Sequence, residues 1–557
     1  MSQSNGAKSN LRTGGQILID QLVAQGVERV TCVPGESYLA ALDAMHGSPI
    51  DVMICRAEGG AAMMAEAYGK LTGKPGICFV TRGPGATNAS HGVHIAMQDS
   101  TPMILFIGQV DTGMREREAF QELDYKAVFG SMAKWVVEID KPERIPELVA
   151  RAFRVALQGR RGPVVVALPE NMLTETAAVS NAPRVEPAIT WPAPSDIDRL
   201  GALLASAKAP IVILGGSGWD EASSNSIAQF AERFDLPVAT SFRRASLFDA
   251  DHPNYAGDLG IGPDPRLKAR ITGADLIVLI GGRLSEMPSS SYTLLDIPSP
   301  TQKLVHVHPG AEELGRVYQP ALAIQASPVA FAKAVAALRP QAAPAWEGEA
   351  AKAHADYLQW TGTPRVLPGT FQYGEVVTWL RDRLPKDAIV CNGAGNYAGW
   401  LHRHLRFHAF AAQLAPTSGS MGYGVPAAVM AKRHYPDRVV IAFAGDGCFL
   451  MNGQEFATAA QYGAALIVVV IDNGQYGTIR MHQERDYPGR VVGTQLKNPD
   501  FALYAKAFGG HGERVERTED FAPAFERALA SGKPAILHCF LDPRAMSVGK
   551  DFVPEKA

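Results

Sequence analysis

The sequence predicts an α/β protein built from three doubly wound parallel-sheet domains. Three observations carry this. Short apolar runs rich in Val and Ile alternate with helical stretches along the whole chain. The runs are apolar at successive positions, so both faces of each strand must be covered by helices. Many runs end in Gly, Pro, Asp or Asn, and open α/β sheets bind ligands at those carboxyl ends.

The elements follow in order. GVERVTCVPG, DVMICRAE, GICFVTRGPG, PMILFIGQV and GPVVVALP predict the first sheet. PIVILGGSG, LPVATSF, ADLIVLIGG and KLVHVHP predict the second. AIVCNGAGN, RVVIAFAGDG, ALIVVVIDNG and PAILHCFLD predict the third. Two stretches rich in Pro and Ala, residues 180–196 and 339–350, lack apolar periodicity and read as linkers. The expected domains are residues 1–180, 190–340 and 360–545.

Composition narrows the function. Of 557 residues, 46% are hydrophobic and 20% are charged, which is ordinary for a globular chain. Lys plus Arg is 53 and Asp plus Glu is 56, a formal charge of −3. No field of one sign points to nucleic acid or a membrane surface. No apolar run is long enough to span a bilayer, and the opening MSQSNGAKSNLRTG has no apolar segment of the secretory kind. The expected location is the cytoplasm. The six cysteines form no CxxC pair and sit mostly inside apolar runs, so they read as buried thiols. The sequence holds no GxxxxGK[ST], HExxH, GxSxG or strict GxGxxG. The pairs His306/His308 and His402/His404 would each share one face of a strand. With no carboxylate or cysteine beside them in sequence, surface or strand-end histidines are the expected reading.

The informative segment is RVVIAFAGDGCFLMNGQEFATAAQYGAALIVVVIDNGQYG. A strand runs into Gly445-Asp446-Gly447, a helix is expected over about 452–462, and a second strand runs into Asp472-Asn473-Gly474-Gln475-Tyr476-Gly477. Asp446 and Asn473 lie 27 residues apart, each at the carboxyl end of a strand of one βαβ unit. A carboxylate and an amide oxygen placed side by side suit a hard cation. Gly445 and Gly447 leave room for an anion near the backbone.

This spacing resembles the diphosphate-binding motif of thiamine diphosphate (ThDP) enzymes. The resemblance implies Mg²⁺ held by the side chains of Asp446 and Asn473 and by the Gln475 carbonyl. It implies a diphosphate contacted by the stretch Asn392–Asn396, including Gly395 and Asn396, and by Gly445, Gly447, Cys448 and Tyr476. Cys448 departs from the family's usual serine-like residue; its backbone N–H remains, a hydroxyl contact does not. Pro416-Thr-Ser-Gly-Ser-Met-Gly resembles a further family stretch. It implies Gly419 offering a carbonyl to the 4′-amino group and Met421 wedged between the two cofactor rings. Arg56-Ala-Glu58-Gly-Gly sits where strand DVMIC enters a helix of small residues. The resemblance implies that Glu58 is the catalytic carboxyl that hydrogen-bonds N1′ of the aminopyrimidine.

Within the superfamily the chain resembles acetolactate synthase nearly end to end. GKLTGKPGICFVTRGPGATN, DSTPMILFIGQV and AFQELD carry the likeness, and Phe120 and Gln121 match that enzyme's active-site pair. The implied domains are pyrimidine-binding, central and diphosphate-binding. Implied partners are a small 2-oxoacid or aldehyde and a second copy of the chain, as a homodimer or dimer of dimers, a homotetramer, with active sites at the interface.

Several positions depart. The synthases read PGG where this chain reads Pro34-Gly35-Glu36. Thr478 and His482 stand where they carry Met and Trp, and Glu170 stands where they carry Lys. An acid after PG is similar to the ThDP decarboxylases, which makes Glu36 a further catalytic candidate; capping of the helix SYLAALDAM is its structural alternative. The synthases' acidic strand end after VHI is VHVHPG here, which leaves FAD open. The expected activity is 2-oxoacid decarboxylation with carboligation. The alternatives are simple decarboxylation or aldehyde lysis, then an acyl-CoA lyase, a flavin-dependent oxidase or a non-catalytic member.

Overall fold

The structure is a computed structural model that describes residues 11–549. The first ten residues, most of the polar opening segment, lie outside it. Contacts within the chain divide it into two compact units, residues 1–188 and 189–557.

The first unit is one six-stranded parallel sheet with helices on both faces. Its order across the sheet is Asp51–Ile54, Arg29–Cys32, Gly76–Val80, Met103–Gln109, Pro163–Pro169, Trp135–Glu138. Met103–Gln109 and Pro163–Pro169 are buried along their whole length, which is why they read as unbroken apolar runs. Helix Glu58–Thr72 starts at the end of Asp51–Ile54 and packs on helix Pro84–Asp99. A Cβ at Gly92 would meet the Ala62 side chain at 2.4 Å, so the small residues of both helices set a close crossing. A short antiparallel ribbon, Arg12–Thr13 with Thr176–Ala177, ties the two ends of the unit together.

The second unit holds two further six-stranded parallel sheets. The central one runs Tyr255–Leu259, Val238–Ser241, Pro210–Leu214, Leu276–Ile280, Lys303–His308, Leu322–Gln325. The C-terminal one runs Gln413–Leu414, Ile389–Asn392, Val440–Gly445, Ile467–Asp472, Ala535–Phe540, His511–Val515. Numbered along the chain, the central order is 3-2-1-4-5-6, and both the first and the C-terminal sheets are 2-1-3-4-6-5. All pairings within the three sheets are parallel, as the alternating pattern predicts.

Two local expectations are corrected. The helix after Gly445 begins at Asp446 itself and breaks at Gly453, giving Asp446–Asn452 and Glu455–Gln461. The first turn therefore faces the strand end, where its N–H groups are unpaired within the helix. His402 and His404 lie in helix Tyr397–His404, not on a strand, and diverge by two helical positions. His402 packs edge-on against Phe242, and His404 Nδ1 faces the Thr361 carbonyl at 3.1 Å. His306 and His308 do share a strand, Lys303–His308, and both are buried against backbone groups. All six cysteines are buried and free of disulfides. Among the described residues no helix is long and apolar enough to cross a membrane.

Candidate active site

In the C-terminal sheet the strand order reverses between Ile389–Asn392 and Val440–Gly445. Such a reversal splits the connecting loops apart and opens a crevice at the strand ends. Here it opens a cavity of about 220 Å³. Gly395, Asn396, Gly419, Met421, Gly445, Asp446, Gly447, Cys448, Asn473, Gln475 and Tyr476 all line it. The structure thus brings these nominated residues of the last third of the chain to one place.

The wall of this cavity is built by specific contacts. Asn396 N–H donates to Thr478 Oγ1 at 2.9 Å, and Thr478 Oγ1 donates to Asn396 Oδ1 at 3.0 Å. Asn396 Nδ2 reaches the Met546 carbonyl at 2.5 Å. Cys448 is buried against Gly393 at a strand end: its Sγ accepts from Gly422 N–H at 3.2 Å and meets Tyr397 Oη at 3.4 Å. The Cys448 side chain is therefore a packing and hydrogen-bonding group inside the wall. Gly419 has φ +68°, a left-handed conformation that glycine adopts without strain, and nothing stands within 4 Å of where a Cβ would be. Gly447 owes its lack of a side chain to Tyr476, whose ring would stand 2.4 Å from a Cβ there. Packing of an aromatic ring, rather than room for an anion alone, fixes that glycine.

The cation candidates share this setting. Asp446 is 3% exposed. Its Oδ2 accepts from Gln475 N–H at 3.1 Å and from Asn498 Nδ2 at 2.8 Å. Burial, with the neighbouring Asp472 charge, pushes the Asp446 carboxyl up to about 6. Burial also opposes ionisation of Asp472, but His538, Gly474 N–H and Asn498 outweigh it and hold that carboxyl below its ordinary value. The Gln475 carbonyl accepts from Gly477 N–H at 2.9 Å and keeps a second lone pair. A costly buried carboxylate, an amide and a carbonyl form an all-oxygen donor set that fits a hard divalent cation.

The first unit presents its own strand ends. Glu58 is the first residue of its helix. Its Oε2 accepts from Asn88 Nδ2 at 3.1 Å, and its Oε1 lies 3.3 Å from where a Gly85 Cβ would stand. Glu36 is the first residue of the turn Glu36–Tyr38, so its carboxylate stands in the first turn, as the helix-start alternative also expects. Its side chain is 72% exposed and lies 3.5 Å from Arg82. Arg82 also pairs with Glu170, and its Nε donates to the Phe120 carbonyl at 3.0 Å. Phe120 itself is 71% exposed, with the Arg82 guanidinium 6.0 Å from its ring centre. Gln121 is held at φ +64° against Gly83. Glu36, Phe120 and Gln121 are thus joined through the loop Thr81-Arg82-Gly83.

Sequence reasoning missed Asn88, Arg82, Tyr397, Asn498 and His538. Arg82 and Asn88 both lie within the RGPGATN stretch that carries part of the likeness, and Tyr397 directly follows the stretch Asn392–Asn396. Asn498 and His538 have no local signature, because their roles come from long-range contacts.

The central sheet reverses between Pro210–Leu214 and Leu276–Ile280, and there the two glycine loops meet closely. A Cβ at Gly216 would lie 1.8 Å from the Gly281 carbonyl oxygen. Trp219 Nε1 donates to the Gly215 carbonyl and Arg244 Nε to the Gly216 carbonyl, each at 2.8 Å. His308 ends its strand bound to Gly310 N–H at 3.0 Å.

Comparison with known proteins agrees with this geometry. Residues 12–128 match the N-terminal TPP binding domain of thiamine pyrophosphate enzymes, residues 197–335 their central domain, and residues 393–539 their C-terminal TPP binding domain. The acetolactate synthase isozyme 2 large subunit of Escherichia coli K12 is 30% identical over 536 residues, covering 95% of each chain. The acetolactate synthase large subunit of Corynebacterium glutamicum is 30% identical, over 96% of this chain and 88% of its own. That of Parasynechococcus marenigrum is 31% identical, over 94% of this chain and 87% of its own. With all three domains present in order and the likeness running almost end to end, the chain belongs to the thiamine pyrophosphate enzyme family.

Proposed function

We propose that the protein is a ThDP- and Mg²⁺-dependent enzyme that breaks and makes C–C bonds next to a carbonyl, decarboxylating a 2-oxoacid and joining the retained fragment to a second carbonyl compound. The carrying observation is that the oxygen donors Asp446, Asn473 and Gln475 and the loop residues Gly395, Asn396, Gly419 and Met421 line one cavity at the sheet's reversal.

Bound ThDP supplies a carbon nucleophile and an electron sink beside the substrate carbonyl. The chain's residues do the rest. Asp446, Asn473 and the Gln475 carbonyl hold the cation that neutralises the diphosphate. Met421 and the Gly419 carbonyl orient the cofactor rings. Glu58, steadied by Asn88, holds and moves a proton at N1′ of the aminopyrimidine. Gln121 and Phe120, fixed through Arg82, contact the substrate.

Glu58 belongs to one compact unit and Asp446 to the other. In this reading two copies of the chain each contribute one half, so the assembly is at least a cytoplasmic homodimer. The residues at the central sheet's reversal do not fit a flavin adenine dinucleotide. The Gly216 and Gly281 loops meet closely, and His308, bound to its own loop, stands where the resembled synthases carry an acid. No step is assigned to flavin.

A second reading, simple 2-oxoacid decarboxylation with release of an aldehyde, is favoured by Glu36. Its carboxylate is exposed and lies 3.5 Å from the Arg82 guanidinium, in the unit that carries Glu58. Purified protein supplied with ThDP, Mg²⁺ and a panel of 2-oxoacids separates the two. Acetolactate or acetoin supports the first reading, free aldehyde the second, and no turnover of any 2-oxoacid contradicts both.

A further inference from the structure

Behind the cation site lies a row of buried polar groups that no motif announces. Asn498 Nδ2 donates to Asp446 Oδ2 and to Asp472 Oδ1, each at 2.8 Å. Asp472 Oδ2 accepts from His538 Nε2 at 2.8 Å. His538 Nδ1 in turn accepts from Phe501 N–H at 3.3 Å, which fixes the tautomer, and the ring packs edge-on against Phe501. Asp446, Asp472 and His538 are all buried. They come from three adjacent strands, with Asn498 on the loop that closes over them.

Two carboxylates share one amide group here, and only the Nδ2 side of Asn498 is able to face both. That leaves Asn498 Oδ1 buried with no hydrogen-bond partner. A buried acceptor left unpaired is costly, and a water carried by a bound cation is the donor that would satisfy it.

We propose that Asn498 and the Asp472–His538 pair are positioning residues. Through the bridge on Oδ2 they fix the plane of the Asp446 carboxylate before any cation arrives, and Asn498 Oδ1 accepts from the cation's water shell. Partners of this kind aim a metal-ligating side chain and commonly set about 10–100-fold of metal affinity. The inference rests on the Mg²⁺–ThDP reading above.

The test is calorimetric titration of Mg²⁺, and separately of Ca²⁺, into the full-length protein at saturating ThDP, after thermal melts of the cofactor-free variants. Asn498→Ala should weaken Mg²⁺ by about 10–100-fold and Ca²⁺ by less, because Mg²⁺ demands near-ideal octahedral geometry and Ca²⁺ does not. His538→Phe should move affinity in the same direction, and His538→Gln, which keeps a donor for Asp472, should restore it. If Asn498→Ala fails to fold, the two His538 variants carry the comparison. A wild-type protein that takes up no Mg²⁺ with ThDP overturns the cofactor reading and this inference together. Wild-type binding with unchanged variants, or an equal loss for both cations, overturns the positioning layer alone.

Discussion

In the central sheet the strand order reverses between Pro210–Leu214 and Leu276–Ile280; in the C-terminal sheet it reverses between Ile389–Asn392 and Val440–Gly445. Both reversals end in glycines, and each sheet carries a carboxylate with a raised pKa at a strand end. At the central reversal the backbones of Gly216 and Gly281 touch, and Trp219 and Arg244 cap the loop carbonyls. At the C-terminal reversal the loops part around a cavity. The carboxylates differ in the same way. Burial pushes Asp258 up to about 8, opposed only by the Arg243 guanidinium. Asp446 accepts from Gln475 N–H and Asn498 Nδ2 and lines the cavity together with Asn473 and Gln475. A reversal of strand order creates the opportunity for a ligand site, and the side chains of the following loop decide whether it stays open.

Five results would break or sharpen this contrast. The largest effect belongs to Asp446→Ala, which should remove Mg²⁺-dependent ThDP binding, a loss beyond the roughly 10–100-fold typical of a partner residue. In the wild type, Mg²⁺ affinity should fall as pH drops below about 6, since a proton then competes for Asp446. Titration calorimetry across pH checks both.

Next comes Glu58→Gln. It should keep most ThDP affinity and slow exchange of the cofactor's C2 proton by about 10²–10⁴-fold, the usual scale of general acid–base help. Deuterium exchange followed by NMR reads this directly, and equal rates would reduce Glu58 to a helix-end residue.

A smaller signal concerns the closed reversal. Added FAD should leave the melting temperature unchanged, and the purified protein should show no flavin absorbance; a yellow protein would break the contrast.

A separate effect is expected for Asp258→Asn. A carboxyl raised from 3.8 to about 8 keeps its proton in the native state while the unfolded chain loses it. Its stability contribution is therefore fully present below about 4 and is lost as pH rises toward 8. The variant's gain in melting temperature over wild type should grow from pH 5 to pH 8 and should not respond to Mg²⁺.

Much of this was legible in the sequence. Buried parallel strands advertise themselves as apolar runs, so all three sheets were readable. Asp446 and Asn473 were readable because one βαβ unit fixes their separation. The helix start at Asp446 was missed because Gly445 and Gly447 read as a turn, whereas strand pairing carries the chain straight into the first helical turn. The histidines of HRH were misplaced because alternation alone does not distinguish a strand from the last turn of a helix. Asn498 and His538 were illegible: neither has a local partner, and His538 meets Asp472 only because their strands are neighbours. Glu36 was readable as a charged residue in a loop, but its pairing with Arg82 depends on two strand ends meeting.

The central claim is that the open reversal of the C-terminal sheet holds a metal-bridged diphosphate and the closed reversal of the central sheet holds none. Crystals grown with ThDP and Mn²⁺ in place of Mg²⁺ test it most directly, through the anomalous signal of the metal. The account predicts one peak per chain, bonded to the side-chain oxygens of Asp446 and Asn473 and to the Gln475 carbonyl, with diphosphate density beside Gly395 and Asn396. A metal elsewhere, or diphosphate density at Gly215–Gly218 of the central sheet, would contradict it.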